Sequence, residues 1–170
     1  MIKPLEDFVS RFGTKLVLDE TLITKKQSRY FLLNQNLKPL VSEEFVYAGT
    51  YLGSIRHGKF LPSFDLLDMI AEKKANKITV DKKTEWLFIC GRDVFRQGIV
   101  KTTGSTDQND YVLVVNSYGE CLGFAKILRM LDQEMHGLVA KNMLDIGDFL
   151  RRERCEPPPW SPRQGHRAAR

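Results

Sequence analysis

The strongest constraint on this chain is a change of texture at Lys77. Beyond it, short apolar runs follow one another, separated by glycine-bearing turns. Extended segments are predicted at 77–80, 98–101, 111–115, 121–128 and 137–141, with a further run over 145–152. A single helical turn interrupts them at 84–90, and Asn116, Ser117, Tyr118, Gly119 and Glu120 form a hairpin signal between two of the strands. Five or six short strands in so few residues, with one helical turn, predict a small closed barrel.

The first half reads differently. Leu5, Phe8, Val9 and Phe12 recur at helical spacing, closed by Gly13. Residues 15–23, 29–33, 38–41 and 47–55 read as strands, the last bent at Gly49 and Gly53. Pro62 and Ser63 open a second helix reaching Lys74, with Phe64, Leu67 and Ile70 on one face. The resulting fold class is mixed α+β: an N-terminal α/β unit with an antiparallel sheet and helices over 1–77, then a barrel over 78–155. The link lies near Ala75 and Asn76. Residues 156–170, rich in proline and arginine, cannot build a core and are expected to be a disordered, dispensable tail.

Composition narrows the function classes. With 42% hydrophobic and 28% charged residues the chain has enough apolar material for a core. The longest apolar runs are far too short to cross a membrane, and no secretory leader is visible at the start. Three widely spaced cysteines, Cys90, Cys121 and Cys155, argue against a disulfide framework and for a reducing compartment. The net charge of +5 is unevenly placed: 12 basic against 9 acidic residues over 1–78, 11 against 11 over 79–155, and 3 against 1 in the tail. A polyanionic partner would therefore have to be met by locally placed arginines.

Catalytic signatures are missing. His57, His136 and His166 are far apart and none sits at ligand spacing from a cysteine, so neither a metal nor another cofactor is expected. Ser105 lies in Gly-Ser-Thr, not in a nucleophile elbow. No dinucleotide or Walker glycine pattern occurs. Two arginine groups remain. Residues 91–98 place Arg92 and Arg96 around Phe95 on one glycine-bounded loop. Guanidinium groups grip phosphate with a planar fork, and an aromatic ring offers a stacking face for an unpaired base; the alternative is that Phe95 is core and the arginines are simply solvated. Read as a strand, residues 149–154 put Arg152 and Arg154 on one face and Arg151 with Phe149 on the other. Lys141 adds a cation on the preceding strand. A separate basic set, Lys25, Lys26 and Arg29, lies in the first half.

Trp86 to Gly91 followed by Asp93, Val94 and Gly98, then residues 112–124, then the Asp-Ile-Gly-Asp-Phe-Leu-Arg run at 145–151 resemble a PUA domain, an RNA-binding pseudo-barrel. The closing run is the most specific piece. Gly49, Thr50, Tyr51, Leu52 and Gly53, then Lys59, Phe60 and the helix after Ser63, resemble the pre-PUA domain of the nuclear import protein seven family of ribosome assembly factors, and of its shorter archaeal members in particular. The resemblance covers residues 1–155.

It implies a non-enzymatic protein that binds RNA through the PUA domain, acts in large-subunit pre-rRNA processing, and contacts other assembly proteins through its N-terminal domain. Its compartment would be the cytoplasm in an archaeon, or the nucleolus in a eukaryote. By position, Lys141, Arg151 and Arg152 match basic family positions, whereas Leu138 and Leu144 are apolar where archaeal relatives carry cations. The expected RNA contacts are thus Arg92, Phe95, Arg96, Lys141, Arg151, Arg152 and Arg154. Two rival readings are a protein-interaction adaptor with weak RNA affinity and an accessory of RNA modification; the first 78 residues are too few for a synthase or methyltransferase domain.

Overall fold

The computed structural model describes residues 2–42, 45–131, 136–148 and 151. Helix α1 (Lys3–Ser10) starts with Pro4 in its first turn, where the missing N–H is harmless. The four strands that follow, β1 (Ile23–Lys26), β2 (Arg29–Leu32), β3 (Thr50–Arg56) and β4 (Lys59–Pro62), form an antiparallel meander. Between β3 and β4 both turn residues, His57 and Gly58, take positive φ, as the twist of a two-residue hairpin requires. Helix α2 (Phe64–Ala71) begins where Ser63 accepts the Leu66 amide at 3.1 Å, and it buries Leu66, Leu67 and Ile70.

The second sheet comprises β5 (Lys77–Val80), β6 (Val94–Phe95), β7 (Ile99–Thr103), β8 (Tyr111–Val115), β9 (Cys121–Ile127) and β10 (Leu138–Asp145), in the order β6-β10-β9-β8-β5-β7. All its pairs are antiparallel except β5 with β8. Its two edge strands, β6 and β7, are separated in sequence only by the turn Arg96–Gly98. Edges a single turn apart oblige the sheet to curl round on itself, which gives the expected pseudo-barrel. Helix α3 (Lys82–Ile89), capped by Asp81 accepting the Thr84 amide at 2.7 Å, plugs it with Phe88.

Several segments differ from expectation. Residues 14–19 are irregular and Glu20–Leu22 is a 3-10 turn, so that strand starts only at Ile23. Asp19 is the reason: its carboxylate accepts the Thr21 amide at 2.9 Å and turns the chain. Lys38–Leu40 is also a 3-10 turn, because Asn34 captures the Leu37 amide at 2.6 Å and Pro39 has no N–H for a ladder. Residues 146–148 and Arg151 are helical rather than extended. There the Asp145 carboxylate accepts the Asp148 amide at 2.9 Å, acting as a helix cap.

The sheets share no strand, yet they share an apolar layer. Phe8 and Phe12 of the N-terminal helical segment meet Phe124 edge-on at 5.5 and 5.7 Å, and Leu113, Val115 and Cys121 complete the same cluster with Tyr30, Leu52 and the α2 residues. Asn76 fastens this seam. Its amide donates to Phe12, its carbonyl accepts from Leu113, and its side chain accepts the Ser105 amide at 2.9 Å. The other face of the second sheet encloses the barrel core of Ile78, Val80, Phe88, Val94, Val112, Val114, Ala125, Ile127 and Val139.

Candidate nucleic-acid interface

Asp145 and Arg151 form a clamp. Asp145 is buried, and its two oxygens take one Arg151 nitrogen at 2.9 and 2.8 Å, the Asn142 amide group at 3.1 Å and the Asp148 amide. Arg151 reaches past it to the Ile89 carbonyl at 2.6 Å. Asn142 donates through its side chain to the Phe88 carbonyl at 3.0 Å and through its backbone to the Asp93 carboxylate at 2.8 Å. The Phe88 and Ile89 carbonyls are the last of α3, where orphaned C=O groups and the helix dipole favour donors and cations. Gly147 permits the close approach, since a Cβ there would stand 2.1 Å from the Ile89 carbonyl oxygen.

The clamp fixes the segment that carries Arg92 and Phe95. Val94 pairs with Ala140 and points into the barrel core, so Phe95, one residue on and opposite Leu138, points outward and is 53% exposed. Of the two alternatives for this ring, the core position belongs to its neighbour. Arg92 is exposed beside it. Arg96 is half-buried, with its guanidinium folded back to the Ile99 carbonyl at 3.4 Å. Lys141 is exposed on the outward face of β10.

Arg151 lies against the start of the 91–98 loop, 3.3 Å from where a Cβ on Gly91 would stand. The Arg151 side chain remains 43% exposed, but two of its three guanidinium nitrogens are engaged by Asp145 and Ile89, which fixes it against the end of α3. Arg152 and Arg154 lie outside the described residues, as do Phe149 and Leu150. The alternative basic set is partly engaged as well: Lys25 sits over Tyr30 at 5.6 Å and Lys26 over Phe45 at 5.5 Å.

Sequence reasoning missed Lys126. It stands directly opposite Lys141 across β9 and β10, and opposite Tyr111 across β8 and β9. The available signal was a single cation inside the otherwise apolar run 121–127. Burial pushes the thiol of Cys121, five residues back on the same strand, up to about 12, so it is a packing group, whereas Cys90 is exposed. Among the described residues no three His, Cys, Asp or Glu side chains are placed to hold a metal, and no helix is long and apolar enough to cross a membrane.

A curled six-stranded sheet closed by a short helix and locked by an Asp-Ile-Gly-Asp clamp defines a protein of the PUA class. Residues 76–154 match the UPF0113 PUA domain family. A UPF0113 protein of Archaeoglobus fulgidus is 26% identical over 112 residues, which are 64% of this chain and 63% of that one. A zebrafish (Danio rerio) protein described as a 60S ribosome subunit biogenesis protein NIP7 homolog is 27% identical over 116 residues, 65% of this chain and 64% of its own. The chain thus spans slightly under two-thirds of the length of these curated relatives. A conserved PUA domain protein from Thermoplasma acidophilum shares the fold with a TM-score of 0.56 at 22% identity, over 89% of this chain and 92% of that one. The family resemblance carried by 86–98, 112–124 and 145–151 is thereby met.

Proposed function

We propose that this chain is a non-enzymatic RNA-binding factor in the assembly of the large ribosomal subunit, acting in pre-rRNA processing. The carrying observation is the outward face around β6 and β10. There the exposed ring of Phe95 stands opposite Leu138 of β10, with exposed cations at Arg92 on the same loop and at Lys141 further along β10. An aromatic platform flanked by cations suits unpaired bases on a phosphate backbone. The description of the zebrafish relative supports the assembly role. We assign RNA contact to residues 78–155 and contacts with other assembly proteins to residues 1–77; the site of action is the cytoplasm in an archaeal host and the nucleolus in a eukaryotic one. The test is crosslinking of the protein to RNA in its own cells, with the RNA sequenced. Enrichment of pre-rRNA segments of the large subunit is expected, and recovery of messenger or transfer RNA alone overturns the assignment.

A further inference from the structure

We infer that the RNA path does not stop at β10 but crosses the barrel to the N-terminal unit, along a row made by Lys141, Lys126, Tyr111 and Arg11. This rests on the RNA-binding reading above and extends it to a composite site built by both halves of the chain.

The row follows from strand register. Residues directly opposite each other in an antiparallel pair project from the same face. Lys141 pairs with Lys126, and Lys126 with Tyr111, so the three side chains stand side by side on one face across β10, β9 and β8, about 10 Å from end to end at two strand spacings. The next row inward on that face is Leu144, Phe124 and Leu113, which belongs to the apolar layer under α1. The charged row is therefore the margin of the seam between the two sheets. Arg11, just past the end of α1, closes the line: one of its nitrogens donates to the Tyr111 hydroxyl at 3.1 Å, and the guanidinium carbon lies 5.2 Å from the ring centroid.

Two features set this row apart from ordinary solvated charge. First, like charges directly opposite on neighbouring strands repel, and Lys126 is half-buried, where water screens it less. No described carboxylate lies within ion-pair distance of Arg11, Lys126 or Lys141 to relieve that repulsion. An anion laid across the row would. Second, Arg11 is held on Tyr111 while itself remaining exposed, so a planar cation is pre-oriented with little left to order on binding. Guanidinium planes stack on unpaired bases as well as pairing with phosphate. An extended single strand lying over Phe95 and Lys141 and continuing over Lys126 to Arg11 satisfies both features. The ligand class is single-stranded RNA, bound through two or more consecutive phosphates and one stacked base.

The test uses the full chain and a uridine-rich single-stranded RNA, with affinity followed by fluorescence anisotropy as salt is raised. Each phosphate contact removed from a single strand lowers the slope of log affinity against log salt by about 0.7. The double variant Arg11→Gln/Lys126→Gln is expected to lose about 1.4 from that slope, while Lys101→Gln on the far edge strand β7 leaves it unchanged. Arg11→Lys is expected to keep the slope and weaken binding, because it retains the charge and lacks the planar face. Melting curves of all variants confirm that they fold. A parent chain that binds no RNA at low salt overturns the RNA reading and this inference together. A parent that binds, with a folded double variant of unchanged slope, overturns the inference alone and leaves the Phe95–Lys141 face standing.

Discussion

The clamp behind the 91–98 loop and the outward row beside it use the same kind of residue in opposite ways. Arg151 meets a buried carboxylate and a helix-end carbonyl, so its charge is neutralised inside the protein and its geometry fixed. Lys141, ten residues earlier, meets another lysine across the ladder and no described carboxylate. A basic residue that completes a buried network is scaffold, whereas one left beside its own kind is available for a ligand. Arginine content alone does not separate the two, because the sign of the charge is the same; the partner decides.

Breaking the scaffold should have the largest effect. Asp145→Ala removes the buried acceptor of three donor groups and takes one partner each from Arg151, Asn142 and Asp148. A loss of about 3 kcal/mol or more is expected, read as a fall in denaturation midpoint. Gly147→Ala should destabilise in the same assay by about 1–3 kcal/mol, since its methyl group meets backbone at the end of α3.

On the ligand side, Phe95→Ala should weaken RNA binding by about 1–3 kcal/mol, the worth of one base stacked on an aromatic ring. Its melting temperature should barely move, because Val94 and not Phe95 fills the barrel. A large fall in melting temperature with intact RNA binding would reverse that assignment.

Arg151→Ala and Lys141→Gln then sharpen the contrast directly. The first should lower stability by about 1 kcal/mol, less than a fully buried pair because the guanidinium is part-exposed. The second should raise stability slightly by removing the repulsion with Lys126, and should take about 0.7 from the salt slope for single-stranded RNA. Loss of salt slope without loss of stability in the Arg151 variant would place it with the ligand-facing residues instead.

Near neutral pH the smallest effect belongs to Cys121. Its thiol pKa is raised in the folded chain to about 12 from 9.0, so the folded state holds the proton more tightly than the unfolded one. The resulting stability is complete below about pH 9 and is lost as pH rises toward 12. Peptide mapping after mild alkylation at pH 8 should find Cys90 modified and Cys121 protected.

Much of this was legible before the structure. The strands 77–80, 111–115 and 121–128 (the last ending at Ile127), the helix after Ser63 and the amphipathic start around Phe8 follow from periodicity and apolar runs. The 3-10 turns at Glu20–Leu22 and Lys38–Leu40 were hidden, since their apolar residues mimic strands while the deciding bonds come from Asp19 and Asn34 side chains. At the candidate site, Arg92, Phe95 and Lys141 were recognisable as local chemistry. Lys126 and Arg11 were not, because their meaning lies in cross-strand register and in a contact spanning a hundred residues. The engagement of Arg151 was invisible for the same reason: its partner Asp145 is near in sequence, but the Ile89 carbonyl is not.

The shared apolar layer also bears on how the chain is made. The N-terminal sheet and α2 emerge during synthesis well before Leu113, Val115, Cys121 and Phe124, the residues that cover them. At ordinary rates of translation that interval lasts roughly 2–10 s, far longer than collapse of a short chain. Throughout it, Phe8, Phe12 and Leu67 have no complete cover. A nascent chain halted near Asn76 should thus be a client of holding chaperones, and release should coincide with completion of the β8–β9 hairpin.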